Sequence, residues 1–235
     1  MYHHHFHSIN STQIYLKENL DALKKSEENI LISCSHQTDG IGRRGNVWDN
    51  YDNSIAMSFT FKPNAIASLT PLEIGIITIK FFKKVFNKEL FLKWPNDLMT
   101  KEGKKCGGIL CQYINHDTVI VGIGINLGKH ERIINHEYRY AVGSVDQGLI
   151  ISEFDQEKIS KELYTYLLEE RISNSTLLKN EFNAHCIHLN KEVFLFEDGI
   201  DHVGLFRGIG ENGEAILETN GELKSFLSGS LTILS

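Results

Sequence analysis

The sequence lacks the features that mark membrane, secreted and nucleic-acid-binding chains. No run of about 18 or more apolar residues occurs, so we expect no membrane-spanning helix, and no basic segment followed by an apolar one indicates a secretory signal. Basic residues are also in the minority, with 24 Lys and Arg against 30 Asp and Glu and a net charge of −6. This balance disfavours a DNA-binding or other dedicated nucleic-acid-binding role.

The four cysteines, Cys34, Cys106, Cys111 and Cys186, are scattered and form no C-x-x-C pair. Their spacing predicts neither a zinc ribbon nor a disulfide framework, and it favours a reducing cytoplasm. Because 41% of the 235 residues are hydrophobic and 23% are charged, the chain is expected to fold around a real core rather than to be disordered.

Four histidines, His3, His4, His5 and His7, stand among the first seven residues. They could bind a metal, but we favour an artificial remnant or a frayed start. We therefore leave residues 1–6 out of the predicted chemistry, although a first strand could begin near Phe6.

Residue patterns up to about position 186 predict a mixed α and β domain. The predicted strands cover 29–35, 54–61, 90–92, 106–114 and 118–127, and the predicted helices cover 12–25, 70–86, 153–170 and 177–184. Ser11 is expected to cap the first helix. Thr70 and Glu73 predict a capping box, with Pro71 at the first helical position of the second helix.

The pattern changes after about Ile187. Three dipeptides, Asp198-Gly199, Asn212-Gly213 and Asn220-Gly221, each predict a two-residue hairpin because both turn positions need positive φ. The segment 187–235 is therefore predicted to be a small antiparallel barrel of about five strands, and 1–186 a separate larger domain.

A polar loop rich in glycine and arginine, from Gln37 to Trp48, carries the most unusual chemistry. Its glycines allow backbone N–H groups to approach an anion, its arginines offer bidentate donors, and its tryptophan offers a flat apolar face. The residues concerned are Gly40, Gly42, Gly45, Arg43, Arg44 and Trp48. It matches neither a P-loop nor a Rossmann fingerprint, and taken alone it could equally be a flexible basic surface loop.

Other short motifs are weaker when taken singly. Asn96 and Asp97, at the end of Lys-Trp-Pro-Asn-Asp, place an amide and a carboxylate beyond a buried strand, although a simple capped turn is the alternative. Lys105 leads a strand whose next residues are small, so it could reach inward as a point charge. Glycines that alternate with isoleucine before Asn126 indicate close approach of a backbone or ligand, or only a crowded core.

The order and spacing of these motifs resemble the biotin protein ligase family, also called biotin–[acetyl-CoA-carboxylase] ligases or holocarboxylase synthetases. The motifs are Ser-Thr-Gln from position 11, Gln-Thr-x-Gly-x-Gly-Arg-x-Gly-x-x-Trp from 37, Lys-Trp-Pro-Asn-Asp from 93, Lys-x-x-Gly-Ile-Leu from 105 and Gly-Ile-Gly-Ile-Asn from 122. The resemblance covers essentially the whole chain. It implies an α+β fold, with a class II synthetase-like mixed central sheet and helices, followed by an SH3-like barrel. Since the first motif begins at residue 11, we expect the short form without a DNA-binding domain.

The resemblance implies an ATP-dependent, two-step ligation. Biotin and ATP, with Mg²⁺, would give biotinyl-5′-AMP, and a lysine of a biotin carboxyl carrier domain of acetyl-CoA carboxylase would then take the biotin. No protein nucleophile is needed and no metal-ligating residues are implied. Family members are monomers or homodimers, and the sequence leaves that choice open.

The resemblance also implies roles for individual residues. The biotin-binding residues are Ser11, Thr12, Gln13, Gln37, Gly40, Ile41, Gly42, Arg43, Lys105 and Gly108. The nucleotide-binding residues are Arg43, Arg44, Trp48, Asn96, Lys105 and Asn126. The catalytic residues are Lys105, Arg43 and Asp97, and we hypothesise that Asp97 orients the incoming amine.

The chain departs from the family pattern at several positions. Ile41 and Asn46 stand where basic residues are usual, Gln13 replaces an asparagine, and Gln112 replaces an acidic residue. Two alternatives therefore stay open: a lipoate or octanoate ligase, and a degenerate biotin sensor, which Ile41 alone suggests. The complete glycine–arginine loop and retention of Lys105 favour the biotin ligase.

Overall fold

The structure, a computed structural model, describes residues 1–49, 53–128 and 141–234. Its strands are β1 (Tyr2–Ile9), β2 (Ile30–Gln37), β3 (Ser54–Phe61), β4 (Phe91–Lys93), β5 (Asp97–Met99), β6 (Lys105–Asn115), β7 (Thr118–Asn126), β8 (Glu192–Glu197), β9 (Ile200–Ile209), β10 (Ala215–Thr219), β11 (Glu222–Phe226) and β12 (Ser230–Ile233). Its helices of more than one turn are α1 (Thr12–Leu23), α2 (Thr70–Phe86), α3 (Glu153–Glu169) and α4 (Ser175–His185). The predicted mixed α and β class is confirmed.

The larger sheet has seven strands in the order β1-β2-β3-β7-β6-β5-β4. Only the β1–β2 pair is parallel, and every other neighbouring pair is antiparallel. Helix α1 buries Leu16 and Leu20 against Ile30, Ile32 and Ile120 on one face. Helices α2, α3 and α4 share the main core cluster with the opposite face. The α1 face is only partly covered by this helix, and the site lies on it.

The N-terminal histidines belong to strand β1 of the larger sheet. His3, His4 and His5 pair in register with residues 31–33 of β2, so the expectation of a frayed start is wrong. His3 Nε2 lies 2.9 Å from Ser33 Oγ, and His5 Nε2 lies 3.0 Å from Ser35 Oγ. Burial is the main cause that lowers the pKa of both rings, so they are neutral partners at pH 7.

The capping box predicted at the start of α2 does not form. Thr70 Oγ1 accepts from the backbone N–H of Asn64, and no side chain caps this helix. Glu73, fully buried, instead accepts from Arg171 Nε at 2.7 Å and from the backbone N–H of Ile172 at 2.9 Å. The spacing of Thr70 and Glu73 is typical of a capping box, but Glu73 forms an ion pair with a residue far away in the sequence, which local spacing does not reveal. Pro71 does occupy the first turn, as predicted.

The C-terminal strands form a second antiparallel sheet, in the order β11-β10-β9-β8-β12. The dipeptides Asp198-Gly199 and Asn220-Gly221 have positive φ at both positions and form the two-residue turns that were predicted. Asn212-Gly213 differs: only Gly213 has positive φ, and the connection from β9 to β10 spans residues 210–214. The five-strand count is confirmed, whereas the boundary at residue 186 stays a prediction.

None of the helices within the described ranges combines the length and apolar character that crossing a membrane requires.

Replacing Glu73 with alanine tests the buried ion pair beneath α2. Because the change leaves donors of Arg171, Ile172 and Asn64 without their acceptor, we expect a loss of about 3–5 kcal/mol in the free energy of unfolding. Urea denaturation followed by circular dichroism measures it. Glu162→Ala, which removes an exposed pair with Lys158, is the control and should change that free energy by less than about 1 kcal/mol.

Candidate active site

One cleft of about 690 Å³ opens on the sheet face that α1 leaves uncovered. Its size is typical of a site for a small organic ligand. It brings together all the residues predicted for the site except Gly40. Those in its lining are Ser11, Thr12, Gln13, Gln37, Ile41, Gly42, Arg43, Arg44, Trp48, Asn96, Asp97, Lys105, Gly108 and Asn126.

The floor of the cleft is backbone where β6 and β7 run side by side. Gly122, Gly124 and Asn126 alternate along β7 and so point to one face, and Gly108 of β6 is paired with Gly124. A Cβ on Gly122 would lie 2.8 Å from Gln13 Oε1, and one on Gly124 would lie 2.5 Å from Trp48 Nε1. The close approach that the alternating glycines predicted is therefore present, and its partners are side chains of this same chain.

One end of the cleft is polar and is built on the first turn of α1. Ser11 caps this helix, as predicted. Gln37 Oε1 accepts from the backbone N–H of Thr12 at 2.9 Å and from its hydroxyl at 3.0 Å, and Thr12 Oγ1 also lies 2.8 Å from Ser58 Oγ. These bonds fix the helix start to strands β2 and β3. All four residues are at most 9% exposed, so this end of the cleft is built from buried, hydrogen-bonded side chains.

The glycine–arginine loop folds over the cleft. The backbone N–H of Trp48 donates to Gly40 at 2.8 Å, and Ile41 bridges to Val47. The carbonyl of Gly40 thus accepts the hydrogen bond that closes the loop, and Gly40 does not line the cleft. Arg44 adopts a left-handed φ of 56°, which turns the chain between these contacts. Residues 50–52, at the end of the loop 37–52, lie outside the described residues.

The glycine–arginine loop contacts the turn between β4 and β5 through the side chain of Arg43. Arg43 Nη1 donates to Asn96 Oδ1 at 2.9 Å, and Asn96 Nδ2 donates to the carbonyl of Ile109 at 2.7 Å. The amide of Asn96 therefore ties the loop arginine to β6, and both predicted residues lie side by side in the lining.

Asp97 is the charged centre of the site. Its Oδ1 lies 2.7 Å from Lys105 Nζ and its Oδ2 lies 2.6 Å from Lys93 Nζ. Burial alone would raise the pKa of this carboxyl, but the charges and hydrogen bonds of the two lysines hold it below its ordinary value. Lys105 reaches inward, as its sequence context predicted, and its ammonium also lies 5.8 Å from the Trp48 ring centroid.

The thiols offer no nucleophile. Burial raises the pKa of Cys34, Cys106, Cys111 and Cys186 to about 12, so each is a neutral thiol at pH 7. The site is therefore suited to chemistry by positioning and charge, in which the substrates supply the reacting atoms.

Four buried polar atoms of the lining have no hydrogen-bond partner within the described part of the chain: Gln13 Oε1, Trp48 Nε1, Asp49 Oδ2 and Asn126 Oδ1. Buried polar atoms are normally satisfied, so each of these is available to a ligand. Asn126 Nδ2 donates to the carbonyl of Gly143 at 3.2 Å, so its oxygen is the atom of this amide that remains an acceptor.

Sequence reasoning missed the contribution of the C-terminal sheet to the lining. Phe196, Gly229, Ser230 and Leu231 face the cleft from strands β8 and β12 and the turn before β12. No residue type or spacing in that segment signals a site. The nearest signal is Lys93, in the motif before Asn96, whose Nζ donates to the carbonyl of Leu231 at 3.2 Å.

Gly124→Ala tests the seating of the indole. Its Cβ would lie 2.5 Å from Nε1 and 2.6 Å from Cζ2 of Trp48, so we expect the ring to leave the cleft. The only other tryptophan, Trp94, is 1% exposed and should stay unquenched. Acrylamide quenching of fluorescence should therefore rise severalfold. Gly108→Ala is the control, because its Cβ would make an ordinary 3.5 Å contact with Trp48. Unchanged quenching in Gly124→Ala would contradict this placement.

Comparisons with known proteins agree with this geometry. Residues 5–128 match the model of the Biotin/lipoate A/B protein ligase family. The bifunctional ligase/repressor BirA of Escherichia coli (strain K12) is 26% identical over 245 residues, which cover 97% of this chain and 72% of that protein. The biotin--[acetyl-CoA-carboxylase] ligase of Mycobacterium tuberculosis is 22% identical over 218 residues, covering 88% of this chain and 80% of that protein.

A solved structure extends the similarity to nearly the full chain. The biotin protein ligase from Aquifex aeolicus, in complex with biotin and ATP, superposes with a TM-score of 0.78 at 26% identity and covers 99% of this chain and 98% of that one. This similarity agrees with the observed pairing of a seven-stranded and a five-stranded sheet. Because the family model matches more than half of the residues, and the cleft collects the motifs that predicted it, this chain belongs to the Biotin/lipoate A/B protein ligase family.

Proposed function

We propose that this protein is an ATP-dependent biotin–protein ligase that forms biotinyl-5′-AMP and transfers the biotin to a lysine of a carrier domain. The observation that carries the proposal is the composition of the cleft, which joins a buried polar end to an ion-paired lysine on a backbone floor. The relatives named as biotin ligases support it.

The polar end of the cleft favours biotin over lipoate or octanoate. Gln13 Oε1 is a buried acceptor without a partner among the described residues, and it needs an N–H donor. The ureido ring of biotin carries two N–H groups, whereas a dithiolane ring and an alkyl chain carry none. Ser11, Thr12 and Gln37 surround the same end. A site built to hydrogen-bond such a ring would reject an analogue that lacks its donors.

Lys105 would serve the first step. The biotin carboxylate oxygen attacks the α-phosphorus of ATP, the bond to the β-phosphate oxygen breaks, and pyrophosphate leaves. An ammonium between the carboxylate and the α-phosphate reduces their repulsion and stabilises the charge that develops on the phosphoryl oxygens. Ile41, Gly42 and Arg43 also line the cleft, and a Cβ on Gly108 would lie 3.6 Å from Lys105 Nζ. Ile41 supplies no charge, so Arg43 is the cation that the loop contributes here.

Arg44, Trp48, Asn96 and Asn126 would hold the nucleotide. An acceptor such as Asn126 Oδ1 suits an N–H or O–H donor of adenosine, and the Trp48 indole offers a stacking face. Within the described ranges no three His, Cys, Asp or Glu side chains come together as a metal site. Mg²⁺ would then be held mainly by the phosphates and water, where it neutralises the triphosphate charge.

The second step needs an orienting base, which we assign to Asp97. Once Lys105 contacts the acyl phosphate, Asp97 Oδ1 can accept from the incoming lysine amine. The amine nitrogen attacks the biotinyl carbonyl, AMP leaves, and an amide forms. The acceptor is a biotin carboxyl carrier domain of acetyl-CoA carboxylase, in keeping with the relative named for that substrate.

Lys105→Ala tests the first step. We expect pyrophosphate release from Mg²⁺-ATP and biotin to fall by about 10²- to 10³-fold, because the variant loses the ammonium that stabilises developing charge. The control is Lys104→Ala, which removes the neighbouring exposed lysine and should release pyrophosphate at the wild-type rate.

Parallel reactions with lipoate and octanoate decide between the family's substrates. Release with biotin alone supports the proposal. Release with lipoate or octanoate instead would contradict it, and biotin binding without release would make the protein a sensor.

Asp97→Asn tests the second step in isolation. Transfer from preformed biotinyl-5′-AMP to the carrier domain should slow by at least about tenfold, since the amide cannot accept a proton or orient the ammonium as strongly. Because the two lysines depress the pKa of Asp97, the carboxylate persists down to its ordinary pKa of about 4 and is lost only below it. The wild-type advantage should therefore hold at pH 5. A variant that transfers biotin at the normal rate would remove this role.

A further inference from the structure

We propose that Lys93 is a positioning residue, through which the C-terminal sheet fixes Asp97 and leaves the ammonium of Lys105 available to the substrates. This inference deepens the proposed function and rests on it. The juxtaposition that carries it is one buried lysine between a site carboxylate and a backbone carbonyl of the second sheet.

Lys93 is held from two sides. Its side chain is 4% exposed, and its Nζ lies 2.6 Å from Asp97 Oδ2 and 3.2 Å from the carbonyl of Leu231. Lys93 and Asp97 are register partners on β4 and β5, so the ion pair closes across the hairpin. Leu231 lies on β12 and lines the cleft. The contact thus links the C-terminal sheet to the charged centre of the site.

Burial of the Lys93 ammonium is poorly explained by stability alone. Withdrawing an ammonium from water costs several kcal/mol, and a buried ion pair is seldom more stabilising than apolar residues of similar volume. The β4–β5 hairpin could form with a simple side-chain cap and would not require a buried lysine. The buried charge of Lys93 therefore has to be explained by what it does to Asp97.

The charge balance around Asp97 supplies that explanation. With Lys105 alone, the carboxylate and one ammonium would neutralise each other and would stabilise the charge that develops on the α-phosphate only weakly. With Lys93 as well, two cations face one anion, and the centre carries a net positive charge suited to a carboxylate and a phosphate. His188 adjoins this group, but burial lowers its pKa to about 3 and it is neutral. Arg43 adds a further cation from the loop.

The two lysines therefore have different roles at the two oxygens of Asp97. Lys93 satisfies Oδ2 permanently because it is buried and anchored to β12. Lys105, whose side chain is 32% exposed, shares only Oδ1 and can leave it for a ligand. Without Lys93, Asp97 would hold Lys105 as its only close counter-ion, and the ammonium would be less available to the substrates.

Chemical labelling of Lys105 tests this idea without any activity assay. Wild-type protein and Lys93→Met are treated with acetic anhydride in the absence of ligand, and acetylation of each lysine is followed by mass spectrometry. We expect Lys105 to react at least about threefold more slowly in Lys93→Met, because an amine held in a tighter ion pair is less available as a nucleophile. Lys104, exposed and adjacent, is the internal reference. Lys88→Met, which breaks an ion pair with Asp146 elsewhere, should leave Lys105 labelling unchanged.

A second pair of variants tests whether Lys93 acts on Lys105 through Asp97. Asp97→Asn and Lys93→Met/Asp97→Asn both lack the carboxylate that holds Lys105 Nζ, and Lys105 should react equally fast in both. Because Asp97→Asn leaves the buried ammonium of Lys93 without its counter-ion, circular dichroism checks that both variants are folded. An effect of Lys93→Met in this background would mean that Lys93 does not act through Asp97, and it would overturn the proposal. Unchanged or faster labelling in folded Lys93→Met would also overturn it.

Biotin-dependent pyrophosphate release gives the functional readout. In Lys93→Met we expect kcat to fall at least about tenfold while KM for biotin changes less than threefold, because the polar end of the cleft is untouched. A rise in KM alone, or wild-type kinetics, would contradict a positioning role. Wild-type protein that releases no pyrophosphate would overturn the proposed function instead, and the labelling result would still decide whether Lys93 controls Lys105.

Discussion

The paired contacts of Asp97 with Lys93 and Lys105 organise the rest of the site. One carboxylate in a hairpin joins the start of β5, the start of β6 and, through Lys93, the last strand of the C-terminal sheet. Because all three charges are close and partly or wholly buried, their interaction is stronger than that of a surface pair. This arrangement concentrates positive charge in the lining of the cleft.

The second constraint is the bare backbone beneath that charge. Gly122 and Gly124 leave room for Gln13 and Trp48, so a polar end and an aromatic wall share one strand floor. Side chains two residues apart on a strand lie about 7 Å apart, and Gly122, Gly124 and Asn126 therefore space the polar end, the indole of Trp48 and the Asn126 amide along one line.

Much of this was predictable from sequence because the signals are local. Ser11 caps its helix, Lys105 reaches inward, and the turns at Asp198-Gly199 and Asn220-Gly221 form as their residue types require. The failures involve partners distant in sequence. Glu73 pairs with Arg171 across the core rather than with its own helix end, and the N-terminal histidines are held by serines of β2. The cleft residues of β12 carry no motif, since their position, not their chemistry, brings them to the site.

The central claim is that the cleft joins a biotin carboxylate to the α-phosphate of ATP through direct attack, with charge rather than a protein nucleophile as the catalyst. Biotin labelled with ¹⁸O in both carboxylate oxygens, ATP, Mg²⁺ and hydroxylamine as the acceptor test it most directly. The bridging oxygen of the adenylate comes from biotin and leaves with the nucleotide, so we expect AMP to carry one ¹⁸O atom. Unlabelled AMP, or label in inorganic phosphate with ADP as the product, would contradict the account.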